Sequence, residues 1–156
     1  MIHLVQGNIF TAEIGQIICH QVNCQGKMGK GIAKTIRERY PPIYSTYQDL
    51  CERYVSYQLL GRVYIDKMED GRVIANIFAQ DEYGKDARYT NYEALAQCLE
   101  KLAIYSKENG MSIALPYGIG CNNAGGNWNI VKTMIEEYLV DLDAYIYDNR
   151  RKRNAL

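Results

Sequence analysis

A short apolar run that passes directly into a glycine-rich loop constrains the fold of this 156-residue chain more than any other feature. Residues 17–22 are apolar and partly β-branched, which predicts a buried strand. The first loop, residues 23–31, carries Gly26, Gly29 and Gly31, and an apolar stripe at helical spacing follows it. This order places unpaired backbone N–H groups and a helix N-terminus at the end of a strand. The segment is therefore suited to bind a phosphate or a diphosphate.

The first loop does not match either of the two common phosphate-binding loops. A Walker loop requires Ser or Thr after its Gly-Lys pair, but Lys30 is followed by Gly31. The glycine spacing also fits the dinucleotide-binding fingerprint poorly, and no acidic residue ends a strand at the expected distance. A strand-to-helix turn that needs glycine for its backbone angles is the alternative for a single loop of this kind.

A second glycine-rich loop favours a ligand-binding site over a simple turn. It spans residues 116–127, follows a predicted strand at residues 111–115 and precedes a helix that Asn127 can cap. In open α/β sheets, ligands bind outside the carboxyl ends of the strands. Both loops are therefore expected to face one molecule in one cleft, and their backbone amides can hold a diphosphate without much positive side-chain charge.

The order of predicted elements is β-β-α-α-β-β-α-β-α-β, which indicates a three-layer αβα sandwich around a mixed, mostly parallel sheet. Pro41 and Pro42 must end the first helix, and a second helix is expected from residue 43 to about residue 57. We expect a single domain over residues 1–149. Residues 150–156 are expected to form a solvated basic tail.

Composition excludes several functional classes. Eighteen basic and eighteen acidic residues cancel, so bulk attraction to nucleic acid or to an anionic membrane is not indicated. The five cysteines form no C-x-x-C pair and there are two histidines, so we expect no metal and no cofactor. The start of the chain lacks a charged leader, and no apolar run approaches membrane-spanning length. We expect a cytoplasmic monomer that does not associate with a membrane.

At these loops the sequence resembles the macrodomain family, whose members bind ADP-ribose. The resemblance covers nearly the whole chain and is carried by Gly7-Asn8-Ile9, residues 22–33, residues 115–121 and Tyr145-Ile146-Tyr147. Within the family, the Cys19-His20 pair and the start of the helix after the first loop resemble one branch. That branch contains the terminal ADP-ribose glycohydrolases and the fungal ADP-ribose-1″-phosphate phosphatase.

The resemblance implies a division of the ligand among the loops. The turn at Asn8, where most of the family has Asp, would hold the adenine, and Tyr147 would stack on it. The first loop would hold the distal ribose, with Asn23 near its hydroxyls, and the second loop would wrap the diphosphate. The implied ligand-binding residues are Asn8, Ile9, Gly26, Met28, Gly29, Lys30, Gly31, Ile32, Gln80, Pro116, Gly118, Ile119, Gly120, Cys121, Asn122 and Tyr147.

The catalytic residues of the resembling glycohydrolases are not matched. They use a lysine where this chain has Gln80 and an aspartate in the second loop, near Ala124 here. The resemblance to the phosphatase leaves His20 and Asn23 as the catalytic candidates. The alternative for His20 is a histidine packed at a strand end and hydrogen-bonded to backbone. Cys121, with no histidine near it in sequence, is expected to pack rather than react.

Two functions remain open from the sequence. The first is an ADP-ribose-binding hydrolase that removes a phosphate, an acyl group or an ADP-ribosyl link at the distal ribose. The second is a reader or scavenger that holds ADP-ribose without chemistry. A nicotinamide-dependent oxidoreductase is disfavoured by the loop spacing. The expected partner is ADP-ribose or an ADP-ribosylated molecule, with nucleic acid expected only as a modified substrate.

Overall fold

A six-stranded sheet forms the centre of the structure, a computed structural model that describes residues 1–150. The strands are β1 (Ile2–Gln6), β2 (Gln16–Val22), β3 (Val63–Lys67), β4 (Val73–Phe78), β5 (Ser112–Pro116) and β6 (Ala144–Asp148). Their order across the sheet is β1-β6-β5-β2-β4-β3. Every neighbouring pair is parallel except β3 and β4, which form an antiparallel hairpin. The predicted mixed, mostly parallel sheet is confirmed.

Helices cover both faces of this sheet, as the element order predicts. They are α1 (Gly31–Arg39), α2 (Pro41–Arg53), α3 (Ser56–Leu59), α4 (Tyr92–Asn109) and α5 (Trp128–Tyr138), with a short 3-10 turn at Ile9–Thr11. Within residues 1–150, no helix has the combination of length and apolarity that crossing a membrane requires.

The alternation of side chains along β2 explains the three layers. Ile17 points to the face covered by α4 and α5, where it packs with Leu95, while Ile18 points to the face covered by α1 and α2. On that second face Ile36 and Ile43 are fully buried, and each contributes about 2–3 kcal/mol through the apolar area removed from water. Because both faces of the central strands are covered, they read as continuous apolar runs.

The second helix differs from its predicted bounds at both ends. The first helix ends at Arg39 before the two prolines, as expected, but α2 begins at Pro41 itself. Proline is tolerated in the first turn because its missing N–H group has no partner there in any case. The helix then ends at Arg53, where extended backbone at Tyr54 separates it from α3.

The sheet order brings the two glycine loops together. The first loop follows β2 and the second loop follows β5, and these strands are parallel neighbours in the sheet. Their carboxyl ends therefore open at the same edge. At the end of β6, Arg150 pairs with Asp148 and lies over the Tyr117 ring at 3.8 Å. The rest of the predicted basic tail, residues 151–156, lies outside the described residues.

Candidate functional site

Two cavities lie at the carboxyl edge of the sheet, and both glycine loops line them. The second-loop cavity has a volume of about 220 Å³ and the first-loop cavity about 430 Å³. The second-loop cavity is lined by His20, Gln21, Lys30, Gly31, Ile32, Ala33, Gln80, residues 116–120 and residues 122–124. The first-loop cavity is lined by Gln21, Val22, Asn23, Lys27, Gly29, Lys30, Ala33, Gln80, Tyr83, Gly84, Lys85 and Asn123. Since five residues belong to both sets, the cavities form one cleft.

The two loops meet directly across this cleft. A Cβ placed on Gly31, at the end of the first loop, would lie 3.6 Å from Asn123 Nδ2 of the second loop. Gly31 also begins α1, whose N-cap residue Lys30 makes no side-chain hydrogen bond to the helix. The first N–H groups of α1 therefore have no side-chain acceptor at the point where the two loops meet.

The first loop is held by the buried side chain of Asn23. Its Oδ1 accepts hydrogen bonds from the Gln25 backbone N–H at 2.9 Å and from the Tyr47 hydroxyl at 2.7 Å. Its Nδ2 donates to the Lys27 carbonyl oxygen at 2.8 Å. Asn23 lines the first-loop cavity, as expected for a residue near a ligand, but its polar atoms already serve to shape the loop.

Met28, a predicted ligand-binding residue, has a side chain that is 1% exposed and packs in the core with Tyr47 and Phe78. Burial of this apolar side chain stabilises the fold and leaves the Met28 backbone as the part that can face a ligand. Gly26 lies beside it at φ +77°, a backbone angle that favours glycine, and lines neither cavity.

The second loop is built from backbone turns. The N–H groups of Ile119 and Cys121 donate to the carbonyl oxygens of Pro116 and Gly118, and both Gly118 and Gly120 have φ of +75°. Glycine is required at such angles because other residues are strained there. This loop takes its shape mainly from backbone conformation.

His20 is buried at 2% exposure and lines the second-loop cavity. Its Nε2 lies 2.5 Å from Asn76 Oδ1, while its Nδ1 has no hydrogen-bond partner. Burial lowers the pKa of His20 to about 4, so the ring is neutral near pH 7. The side chain is packed at a strand end, but its partner is a neighbouring side chain rather than backbone. A neutral imidazole in this setting has its one proton on Nε2, facing the acceptor Asn76 Oδ1, and a free lone pair on Nδ1.

Gln80, which stands where the resembling glycohydrolases have lysine, belongs to a hydrogen-bond network between the loops. Gln80 Nε2 donates to the Glu82 carbonyl oxygen at 2.8 Å, and Gln80 Oε1 accepts from Gln21 Nε2 at 2.8 Å. Gln21 Nε2 also donates to Thr90 Oγ1 at 2.9 Å, and the Thr90 hydroxyl donates to the Gly120 carbonyl oxygen. The network fixes the edge of the first-loop cavity to the second loop.

The charges that line the cleft are positive. Lys27, Lys30 and Lys85 are exposed and line one or both cavities, and no Asp or Glu lines either cavity among the described residues. Asp81 lies nearby, but its Oδ1 accepts hydrogen bonds from the Ser56 hydroxyl and from Gln25 Nε2. The cleft is therefore electrostatically suited to an anionic ligand.

Four other predicted residues lie outside the two cavities. Asn8 is exposed, and its Oδ1 accepts from the Phe10 backbone N–H at 2.9 Å, capping the 3-10 turn. Ile9 is buried in the same cluster as Tyr147, whose hydroxyl donates to Gln16 Oε1 at 2.9 Å. Cys121 is half-buried, and burial raises the pKa of its thiol to about 11, so the thiolate is scarce at neutral pH.

Sequence reasoning missed several residues of the cleft. Gln21 and Asn123 line both cavities, and Thr90 and Asn76 hold side chains that line them. Gln21 follows His20 in a strand that ends at the site, so its place in the sequence could have indicated that it lines the cleft. Asn76 and Thr90 carried no local signal, because strand pairing and tertiary packing bring them to the site.

Comparisons with known proteins agree with this geometry. A family model described as Macro domain matches residues 19–135. A DNA ADP-ribosyl glycohydrolase of Thermus aquaticus is 30% identical over 147 residues, which cover 92% of this chain and 39% of that protein. An ADP-ribose 1″-phosphate phosphatase of Ajellomyces capsulatus is 43% identical over 53 residues, covering 34% of this chain and 21% of that protein.

A solved structure extends the comparison to the fold. Thermosipho africanus DarTG in complex with ADP-ribose superposes with a TM-score of 0.76 at 25% identity, covering 98% of this chain and 43% of that one. This chain spans less than half the length of the two curated relatives, 39% and 21%. The family match covers most of the chain, including both glycine loops. The chain belongs to the Macro domain family.

Proposed function

We propose that the cleft binds ADP-ribose, free or attached to another molecule, and that the chain hydrolyses a group from its distal ribose. One observation carries the proposal: two glycine loops on neighbouring parallel strands line a single cleft. Backbone N–H groups of the second loop and of the first turn of α1 are suited to the diphosphate, and Lys30 adds positive charge. The Thermus aquaticus relative is named a DNA ADP-ribosyl glycohydrolase, and the Thermosipho africanus structure contains ADP-ribose.

The strand order supports one direction for the ligand along the sheet edge. Tyr147 lies near the end of β6, the second loop follows β5, and the first loop follows β2. These three positions are successive neighbours and have the same order as adenine, diphosphate and distal ribose. The adenine is therefore assigned to Tyr147, Ile9 and Asn8, and the distal ribose to the end of β2 near Asn23.

His20 is the proposed proton acceptor. In the hydrolysis, the oxygen of a water forms a bond to the electrophilic carbon or phosphorus at the distal ribose. The proton of that water passes to the neutral Nδ1, and the leaving group departs with the bonding electrons and takes up the proton. Asn23 acts by holding the first loop in place around the sugar.

A second candidate, a reader without chemistry, is favoured by one specific observation. Gln80 and Ala124 stand where the resembling glycohydrolases carry their lysine and aspartate, and Gln80 has both ends of its amide engaged. No carboxylate lines the cleft among the described residues to replace the missing acid. The reader and the hydrolase share the same ligand and differ in turnover.

Calorimetric titration with ADP-ribose, followed by turnover of ADP-ribose 1″-phosphate, an acylated ADP-ribose and an ADP-ribosylated oligonucleotide, tests both candidates. Gly29→Val is the blocking variant, because Gly29 lines the first-loop cavity and a Cβ there meets nothing within 4 Å, so a larger side chain takes up space at the cavity without a clash. Ser45→Val, on the exposed face of α2, is the matched control.

We expect wild type and Ser45→Val to bind ADP-ribose, and Gly29→Val to bind it at least about tenfold more weakly, a loss of roughly 1.4 kcal/mol. Turnover of any one substrate establishes the hydrolase, and binding with no turnover selects the reader. Absence of ADP-ribose binding by the wild type contradicts both.

We further propose that the chain acts as a cytoplasmic monomer with one domain over residues 1–149, followed by the basic segment 150–156. The five cysteines are all free thiols, which supports a reducing compartment. Light scattering coupled to size exclusion tests the oligomeric state, and a dimer mass contradicts the monomer.

A further inference from the structure

The first-loop cavity extends past the end of β2 to the next strand of the sheet. That strand is β4, the neighbour of β2 on the side away from β5. The loop after β4 contributes Tyr83, Gly84 and Lys85 to the cavity wall. Adenine, diphosphate and distal ribose are assigned to the ends of β6, β5 and β2. The next position in that order, at the end of β4, therefore lies beyond the distal ribose, where a group attached to the sugar belongs.

The size of the first-loop cavity agrees with an additional group. Its volume is about 430 Å³, whereas the second-loop cavity has about 220 Å³. A ribose and a diphosphate have similar numbers of non-hydrogen atoms, so the two parts of ADP-ribose do not account for this difference. The first-loop cavity therefore has room for a chemical group beside the sugar.

Three lysines from three separate segments meet at the first-loop cavity. Lys27 belongs to the first loop, Lys30 is the N-cap of α1 and Lys85 belongs to the loop after β4. Lys30 lines both cavities, whereas Lys27 and Lys85 line only the first-loop cavity. Within residues 1–150, none of the three has an ion-pair partner. Two positive charges are therefore left for a part of the ligand other than the diphosphate.

The loop after β4 also carries carboxylates, but these have partners outside the cavity. Asp81 Oδ1 accepts hydrogen bonds from the Ser56 hydroxyl and from Gln25 Nε2. Asp86 Oδ1 accepts one from the Tyr89 hydroxyl, which holds the pKa of Asp86 below its usual range. In the described part of the chain, no acidic residue lines the first-loop cavity. The loop therefore presents a lysine to the ligand and keeps its acids away from it.

The charge that remains on an attached group decides which group suits these lysines. An acyl group joined to the ribose is an ester, so it has lost the charge of its carboxylate. A phosphate joined to the ribose keeps between one and two negative charges near neutral pH, and each phosphodiester of a nucleic acid keeps one. Lysine is a common phosphate ligand that acts as a point charge. Lys27 and Lys85 therefore favour a phosphate over an acyl group.

We propose that Lys27 and Lys85 form a subsite at the end of β4 for a phosphate carried by the distal ribose. This phosphate is either a terminal phosphate or a phosphodiester of an attached nucleic acid. The inference rests on the proposed function and names the chemistry of the group that the chain removes or recognises. Tyr83, which is 54% exposed at the cavity, adds a hydroxyl that can donate to a phosphate oxygen.

Displacement of a fluorescent ADP-ribose, measured immediately after rapid mixing so that turnover does not consume the competitor, tests this subsite. Three competitors are ADP-ribose, ADP-ribose 1″-phosphate and an acylated ADP-ribose. Two more are an ADP-ribosylated oligonucleotide and the corresponding ADP-ribosylated nucleoside, which has the same link but no phosphodiester.

The test variants are Lys27→Gln, Lys85→Gln and the two combined. Both lysines are exposed, so these changes should leave the fold intact, and thermal melting checks this. The matched control is Lys34→Gln, which removes the same charge from an exposed position of α1 outside both cavities.

We expect the wild type to prefer a phosphate-bearing competitor about tenfold over its counterpart without that phosphate. A gain for ADP-ribose 1″-phosphate over ADP-ribose identifies a terminal phosphate, and a gain for the oligonucleotide over the nucleoside identifies a phosphodiester. Each single variant should reduce the preference to about threefold, and the double variant should abolish it. Binding of ADP-ribose itself should change less than about twofold, and Lys34→Gln should keep the preference.

The subsite is overturned if the wild type binds the acylated ADP-ribose as tightly as the phosphate-bearing competitors. A preference that survives in the double variant, or that Lys34→Gln reduces equally, also overturns it. Equal weakening of ADP-ribose and the phosphate-bearing competitors in the double variant would assign these lysines to the diphosphate instead. In each of these cases ADP-ribose binding by the wild type is intact, whereas its absence is the failure of the proposed function.

Discussion

The two glycine loops have the same task in the proposed cleft but hold their shapes by different means. The first loop is anchored by side chains: Asn23 bonds three parts of the surrounding chain, and Met28 is buried in the core. The second loop is a series of backbone turns with positive φ at Gly118 and Gly120, and its exposed Asn122 makes one long side-chain contact of 3.4 Å. The first shape depends on side-chain contacts as well as on positive φ at Gly26 and Gly31, whereas the second depends mainly on glycine and backbone turns.

This difference indicates which positions in each loop tolerate substitution. In the first loop we expect Asn23 not to tolerate replacement, while Gly29 has ordinary φ and free space around it. In the second loop we expect Asn122 to tolerate replacement and Gly120 not to. The same substitution at Asn23 and Asn122, or at Gly29 and Gly120, should therefore have different effects on stability.

The largest effect is expected when asparagine is replaced by leucine in each loop. Asn23→Leu leaves the Gln25 N–H, the Lys27 carbonyl and the Tyr47 hydroxyl without their partner, and should lower the free energy of unfolding by about 4 kcal/mol. Asn122→Leu should lower it by less than about 0.5 kcal/mol, because that side chain is exposed. Urea unfolding measures both, and similar losses would remove the distinction between the loops.

Low pH should destabilise the fold at the cleft that both loops line. His20 has a pKa of about 4 when folded and close to 6.5 when unfolded, so the unfolded chain binds its proton first as pH falls. Protonation of His20 therefore costs no stability above about pH 6.5. The cost grows as the pH falls to 4, where it lowers the free energy of unfolding by up to about 3 kcal/mol.

Unfolding free energies of wild type and His20→Phe between pH 7.5 and 4.5, compared at each pH, isolate this contribution from the carboxylates. We expect the wild type to lose more stability over this interval than the variant. Parallel curves would show that His20 does not have the lowered pKa.

An alanine pair tests the glycine requirement. Gly120→Ala forces a side chain into φ +75°, with its Cβ 2.9 Å from Gln21 Oε1, and should lower the free energy of unfolding by about 2 kcal/mol. Gly29→Ala has neither problem and should change it by less than about 0.5 kcal/mol. Thermal and urea unfolding check the pair, and a larger loss for Gly29→Ala would invert the comparison.

The smallest effect is expected at Tyr47, which supports the first loop from α2. Tyr47→Phe keeps the ring against Phe78, with centroids 5.9 Å apart, and removes the hydroxyl that donates to Asn23. The loss should be about 1 kcal/mol. Tyr57→Phe, at a residue that is 80% exposed, is the control and should be neutral. No difference between the two variants would show that the hydroxyl does not support the loop.

The sequence predicted the sheet because apolar runs mark its strands and connections through helices are typical of parallel strands. It also predicted that the two loops meet, although chain order alone does not make β2 and β5 neighbours, because β3 and β4 lie between them in the sequence. It did not predict that α2 would begin at Pro41, because a proline ends one helix and begins another equally well.

The residues of the candidate site likewise fall into those that the sequence predicted and those that it did not. The glycines and His20 lie at the cleft because strand ends and turns place them there. The burial of the Met28 side chain and the contacts of Asn76 and Thr90 depend on side chains far away in sequence, such as Tyr47 and His20. Local pattern identifies the backbone of a site better than the side-chain network beneath it.

A crystal structure of the chain with ADP-ribose tests the central claim most directly. The account predicts diphosphate oxygens within about 3 Å of second-loop N–H groups and the distal ribose at the end of β2, enclosed by the first loop. A diphosphate held away from the second loop, or a ligand that touches one loop alone, would contradict it.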